Sequence, residues 1–360
     1  MAPLRHKRTK VALLFGGRSA EHEISLQSAA AIHTHLNKKK YRILSIYIDR
    51  QGRWRPVESP LVPRSQLLKG RFQTFLPWES VRGAGRALRA DIYFPVLHGP
   101  YGEDGTIQGL LEMADVPYVG AGVTASAVGM DKVIHKTLFA AAGLPVVRYD
   151  VVREADWRRD RKKILDRVRR TLPLPLFVKP ANLGSSVGIT KVKSLGRLGR
   201  ALKTAFAYDE TVLVEQGIEG RELECSVLGH GSVKASLPGE LIPDREYYDY
   251  EDKYLYGKTR FRIPAPIPAK TAAEVRRLAL AAFQAIGAWG LARVDFFLEG
   301  RTGRLYVNEI NTIPGFTEIS MYPRLWAVSG IGFPALLDEL IRLGFERHRL
   351  KKRCVERLPA

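Results

Sequence analysis

The chain has 360 residues, of which 45% are hydrophobic and 26% charged; that is enough for two or three packed domains and excludes disorder as the default. Lysine and arginine total 57 against 37 acidic residues, a formal charge of +20 that attracts anions non-specifically. The basic runs 157–170 and 347–357 alternate with apolar residues at helical spacing and carry no zinc-finger, RRM or helix-turn-helix pattern, so they are expected to be solvated helix faces, and no specific nucleic acid is expected as a partner. Two cysteines far apart exclude a disulfide framework. The apolar run Val11 to Phe15 is too short for a secretory core or a membrane span, so a cytoplasmic protein without membrane contact is expected.

Alternating strand and helix patterns open the chain: a strand from Lys10 to Phe15, a helix from Glu21 to Leu36, and strands from Tyr41 to Ile48 and from Asp91 to Leu97. They imply a parallel α/β domain over 1–142. Residues 70–90 are irregular and basic. The spacing predicts a helix from Asp131 to Ala142, stopped by Gly143 with Pro145 beyond it. After Leu174 the segments 176–180, 187–192, 211–215 and 222–228 read as closely spaced antiparallel strands with a helix over 195–208, a small α+β unit at 143–228. A further α+β unit fills 229–360. It begins with a polar-aromatic stretch, 237–268, of the length and composition of a functional lid. Thr271 and Glu274 then form a capping box before a helix whose apolar stripe is Val275, Leu278, Ala279, Ala282, Phe283 and Ile286.

The chemistry concentrates in two last strand-like segments, 291–297 and 307–311, joined by turn residues Glu299 to Arg304. Alternation puts Arg293 and Asp295 on one face of the first, and Glu309 and Asn311 on one face of the second. Two carboxylates, an amide oxygen and a guanidinium would converge if the segments pair, which suits a hard cation and an anionic transition state. Upstream, Lys179 precedes a turn containing Gly184, Ser185 and Ser186, whose backbone N–H groups and hydroxyls can wrap phosphate oxygens. Neither a Walker A loop nor a GxGxxG dinucleotide fingerprint is present. Glu215 ends a strand, and Glu222 follows seven positions later, an arrangement able to meet an adenine edge and a ribose diol.

In this order, Lys179, Gly184-Ser185-Ser186, Glu215, Glu222, Arg293-x-Asp295 and Glu309-x-Asn311 resemble the ATP-grasp enzymes. The motifs Gly16-Gly17-Arg18-Ser19-Ala20-Glu21-His22-Glu23-Ile24-Ser25, His98-Gly99-Pro100-Tyr101-Gly102-Glu103-Asp104-Gly105, Tyr248-Asp249-Tyr250-Glu251-Asp252-Lys253-Tyr254 and Asn308-Glu309-Ile310-Asn311-Thr312-Ile313-Pro314-Gly315-Phe316-Thr317 are similar to those of the D-alanine-D-alanine ligase family, over about Val11 to Gly344. The resemblance implies an ATP-grasp fold, ATP as co-substrate, two Mg2+ or Mn2+ ions, and ligation of two D-alanines through an acyl phosphate for peptidoglycan precursor synthesis. It assigns Lys132, Lys179, Ser185 and Ser186 to the ATP phosphates, Glu215 with the adjoining Gln216 and Ile218 to adenine, and Glu222 to ribose. It gives the metals to Asp295, Glu309 and Asn311. Glu21 would orient the first ammonium group within a set that includes Ser185 and Tyr254, and His98 would lie near that substrate. Arg293 and the Gly315 N–H would hold the oxyanion; Ser320 and Met321, with Lys253 nearby on the nucleotide side, would receive the second substrate. A homodimer through the N-terminal domain is also implied. Two rival readings remain: a ligase taking D-lactate or D-serine second, and a non-catalytic nucleotide- or nucleic-acid-binding protein. The resemblance also implies that lactate-forming relatives typically lack the Tyr-Asp-Tyr-x-x-Lys-Tyr lid motif and have a histidine functionally replacing its last tyrosine, where this chain has Tyr254.

Overall fold

The computed structural model describes residues 8–69, 89–184, 187–242 and 260–355. Three sheets carry the architecture. In the first, β1 (Thr9–Gly16) pairs in parallel with β2 (Tyr41–Ile48) and β4 (Ile92–Val96), giving the order β3-β2-β1-β4. A central parallel strand is covered on both faces, which is why Val11 to Phe15 is an unbroken buried apolar run. The fourth member, β3 (Trp54–Val57), is antiparallel and was not anticipated. It contains Pro56, and an edge position is where a strand tolerates proline.

The second sheet is small and antiparallel, with β5 (Tyr149–Arg153), β6 (Leu176–Pro180), β7 (Thr190–Val192) and β8 (Thr211–Gln216) in the order β5-β8-β6-β7. Leu198, Ala201, Leu202 and Ala205 of the helix Leu198–Phe206 pack onto it. Strand β7 starts later than the sequence pattern suggests, because Gly188 turns the chain at φ +74° where a β-carbon would meet the Tyr208 ring at 2.8 Å. The third sheet has the order β12-β11-β9-β13-β14, with β10 (Ser232–Ala235) also on β9. Its members are β9 (Gly220–His230), β11 (Gly239–Ile242), β12 (Arg260–Arg262), β13 (Gly290–Glu299) and β14 (Leu305–Asn311).

Three expectations change here. The strand expected at 222–228 does not close the small sheet; it is β9, the spine of the third sheet, paired with β13 over ten residues, and β5 takes the vacant place. Both solutions bury an apolar strand, so alternation alone does not choose between them. Next, the stretch expected as an aperiodic loop at 237–268 is bounded by β11 and β12, which pair with each other, while its centre, including Lys253 and Tyr254, lies outside the described residues, as do Ser185 and Ser186. Finally, Thr271 and Glu274 do not cap their helix. It begins earlier, at Ala269 behind Pro268, and Glu274 instead chelates Arg277 at 2.8 and 2.7 Å. The apolar stripe of that helix is buried as read.

The C-terminal helix Phe333–Val355 returns to the first sheet, where Leu336, Leu337, Leu340 and Ile341 share a core with Val11, Leu13 and Phe15. Its basic end is therefore not wholly a solvated face. Arg347 stacks on the Tyr118 ring at 3.6 Å and donates to Gly120 O at 2.6 Å, and Lys351 pairs with Glu112. Cys225 is free and buried. Among the described residues no helix is long and apolar enough to cross a membrane.

Candidate active site

Two adjoining cavities, of about 250 and 490 Å³, open where the three sheets meet, and Lys132, Glu224, Arg293 and Glu309 line both. The smaller also takes in Glu21, His98, Asn311, Gly315, Ser320 and Met321. The larger takes in Lys179, Glu215, Gln216, Ile218, Glu222 and Asp295. Every site residue expected from the sequence that falls among the described residues thus lines one cavity or the other.

The β13–β14 hairpin forms as its turn residues imply, and its register sets Arg293 opposite Asn311 and Asp295 opposite Glu309. One extra residue, Asn308, bulges β14 immediately beyond, a device that re-aims side chains beside a site. Arg293 grips Asp295 with two bonds, Nε to Oδ1 at 2.7 Å and Nη2 to Oδ2 at 2.6 Å, and Asn311 Nδ2 donates to the same carboxylate at 3.1 Å. Arg293 Nε also lies 3.1 Å from Glu224 Oε2 on β9. Burial works against the guanidinium charge, but Asp295 and Glu224 hold its pKa well above the ordinary value. Among the described residues no three His, Cys, Asp or Glu side chains are already gathered around a metal position. The donor set itself, two carboxylates and one amide oxygen on a single sheet face, is that of a hard divalent cation, so the residues present fit the implied ions.

Across the larger cavity lies an oppositely biased cluster. Glu215, only 2% exposed, receives Lys136 Nζ at 2.7 Å and Lys179 Nζ at 2.5 Å, one on each oxygen. Burial alone would raise the Glu215 carboxyl; the two ammonium charges carry it down to about 2. Burial lowers Lys136, whereas Glu215 lifts Lys179 above its usual value despite burial. Lys132, lowered by burial and raised by Glu309, donates to Leu183 O. The helix carrying Lys132 and Lys136 begins where Asp131 accepts from Val133 N at 2.8 Å and Ile134 N at 3.0 Å, a side-chain cap that fixes its first turn. Lys136 was not picked out in the sequence, although its position one turn after Lys132 puts it on the same face. Glu224, likewise missed, shares a strand face with Glu222.

Glu21 stands just before the helix His22–His35 without capping it. Its carboxylate lies close to two backbones: a β-carbon at Gly99, which takes φ +74°, would come within 2.7 Å of Oε2, and one at Gly184 within 3.3 Å. His98 is buried, with Nε2 3.0 Å from Ser28 Oγ and Nδ1 3.0 Å from Ile313 O. Burial lowers its pKa, but Glu103 and Glu21 outweigh burial and raise it. Glu103 is raised in turn by burial and by Glu21. On the opposite wall Ser320 heads the helix Met321–Val328, accepts from Thr317 N at 3.0 Å, and leaves room at position 315 only for glycine, since a β-carbon there would sit 2.8 Å from its Oγ.

Known proteins match this chain along nearly its whole length. A family model described as D-ala D-ala ligase N-terminus covers residues 10–121, and one described as D-ala D-ala ligase C-terminus covers 138–342. A D-alanine--D-alanine ligase of Solibacter usitatus is 50% identical over 345 residues, 96% of this chain and 98% of that protein. The solved D-alanine-D-alanine ligase from Coxiella burnetii has a TM-score of 0.84 at 39% identity, over 97% of this chain and 98% of its own. VanG D-Ala:D-Ser ligase from Enterococcus faecalis has 0.83 at 35%, over 94% and 100%.

Proposed function

Because the chain belongs to the D-alanine-D-alanine ligase family and has its ATP-grasp fold, we infer that the two cavities serve one reaction, the ATP-dependent joining of two D-alanines into D-alanyl-D-alanine for peptidoglycan precursors. The observation that carries this reading is the hairpin register: one sheet face presents Arg293 to both cavities, between the lysine side and the Ser320 side.

The nucleotide occupies the larger cavity, with adenine against the backbone of Gln216 and Ile218, ribose on Glu222, and phosphates on Lys132, Lys179 and the turn containing Ser185 and Ser186. Glu215 acts from behind, holding Lys179 in place. Asp295, Glu309 and Asn311 would hold the two divalent ions, which would supply positive charge against the negative charge of the phosphates during transfer. In the smaller cavity Glu21 pairs with the ammonium of the first D-alanine, whose carboxylate oxygen attacks the γ-phosphorus and releases ADP. The second D-alanine, its carboxylate at Ser320 and the N-terminus of the helix Met321–Val328, loses a proton and attacks the resulting carbonyl carbon. Arg293 and the Gly315 N–H stabilise the oxyanion of that adduct before phosphate departs. Tyr254 and Lys253 belong to the segment that shields the acyl phosphate from water. The division at 142, a homodimer through the N-terminal domain and a cytoplasmic location are parts of the same proposal, supported by the family resemblance; the second division belongs before β9, which lies wholly in the third sheet, and not at 228.

D-serine as second substrate keeps a claim through the 35% identity to VanG D-Ala:D-Ser ligase. Incubation with ATP, Mg2+ and each of D-alanine, D-lactate and D-serine, followed by product mass, tests the choice. The D-alanyl-D-alanine mass, with ADP and phosphate, is expected; a dominant D-alanyl-D-serine or depsipeptide mass, or phosphate release independent of D-alanine, would overturn it.

A further inference from the structure

The face that bears the proposed metal residues holds one carboxylate that the reaction as described does not use. Along one rung of the third sheet, Glu224 on β9 pairs with Asp295 on β13, which pairs with Glu309 on β14. Residues opposite one another on adjacent strands point to the same face, so three carboxylates stand side by side across three strands. The third is no surface accident: Glu224 is 5% exposed, and it lines both cavities. Among the described residues, Arg293 divides itself between two of the three. It holds Asp295 at 2.7 and 2.6 Å and Glu224 at 3.1 Å.

That division creates a conflict. Asp295 gives both oxygens to Arg293, and Asn311 donates to one of them, so a metal that takes Asp295 competes with the guanidinium for the same carboxylate. A buried guanidinium stripped of its counter-charge carries a large desolvation cost, and it would compete with the metal for the same carboxylate. Arg293 must also keep its aim if it is to meet an oxyanion.

We propose that Glu224 is a positioning residue that receives Arg293 when metal takes Asp295, keeping the guanidinium paired and aimed at the reacting carbonyl. The exchange moves a guanidinium between two carboxylates on neighbouring strands and breaks no covalent bond. Reach matters as much as charge, because the carboxylate has to span from β9 to the β13 side chain. This inference rests on the reading of Asp295 and Glu309 as metal residues.

The test is a Mn2+ titration followed by electron paramagnetic resonance, with a non-hydrolysable ATP analogue present, on wild type, Glu224→Gln, Glu224→Asp and each of these combined with Arg293→Ala. Melting curves identify which variants fold. The Mn2+ midpoint is expected to rise several-fold in Glu224→Gln, and likewise in Glu224→Asp, which keeps the charge but loses the reach. With Arg293 removed, both shifts should shrink by at least about threefold, the signature of coupling between two residues. Turnover should fall in both single variants while the KM for ATP stays within about twofold, and Glu224→Asp should not rescue it. Equal shifts with and without Arg293, or a normal midpoint in Glu224→Asp, would mean that Glu224 acts only as a nearby charge and overturn the proposal. Failure of the underlying reading looks different: wild type would bind Mn2+ no better than Glu309→Gln, and both ideas would fall.

Discussion

The two buried charge clusters that face each other across the larger cavity differ in the direction of their imbalance. Around Glu215, two ammonium groups meet one carboxylate, and Lys132 adds a third cation nearby. Around Arg293, among the described residues, one guanidinium meets the carboxylates of Asp295 and Glu224, with Glu309 next on the rung. Burying unbalanced charge is costly, so each cluster is most stable once it meets a ligand of the opposite sign. The lysine side suits phosphate and the carboxylate side suits metal, and a metal nucleotide lying between them satisfies both. Among the described residues, the sign of the charge, more than its presence, is what separates the two faces.

The sharpest way to break this contrast is to remove the carboxylate side. Glu309→Gln keeps the shape of the rung but deletes one negative charge, and ligation should drop to background with the melting temperature little changed; near-normal activity at ordinary magnesium concentration would end the metal assignment. Arg293→Ala comes next. It should lower turnover by roughly 10²- to 10³-fold, about 2.7–4 kcal/mol, with a smaller effect on the KM for ATP. Loss of ATP binding alone would move Arg293 out of the chemical step.

On the lysine side the expected effect is on stability first. Glu215→Gln leaves two buried ammonium groups facing a neutral amide and should cost about 3–5 kcal/mol in urea unfolding, with Lys136→Met giving a smaller loss because Lys179 still pairs with Glu215. An unaltered urea midpoint in Glu215→Gln would show that the cluster is solvated in solution. The smallest effect is in pH. The Glu215 carboxyl sits at about 2 in the folded chain against an ordinary 4.5. A lowered folded value means that its contribution is complete above about pH 4.5 and is lost as pH falls toward 2, so the gap between wild type and Glu215→Gln should narrow across that window. A constant gap would assign the stabilisation to packing.

Local pattern was sufficient for much of this molecule. Strand alternation and a turn of hairpin length were enough to bring Arg293, Asp295, Glu309 and Asn311 together, since a two-residue period and a short connection leave few ways to pair. The helix at Lys132–Ala141 was legible from its apolar spacing and the glycine stop at Gly143, while Asp131, read as its first residue, is its cap. The family motifs brought Glu21, His98 and Ser320 to one site, although nothing local to each points at the others.

What only the tertiary structure decided was partner choice over long distance. An apolar strand such as Gly220–His230 can complete either of two sheets, and its place beside β13 depends on residues some seventy positions later. That choice puts Glu224 next to Asp295. The pairing of Lys136 with Glu215 and the docking of Arg347 on Tyr118 have the same origin: each depends on where a distant backbone has been brought, and a buried charge accepts whichever partner the packed elements place within reach. Sequence determined which faces are apolar and which residue types are available. Packing determined which charges meet, because the cost of an unpaired buried charge is settled only when the water around it has gone.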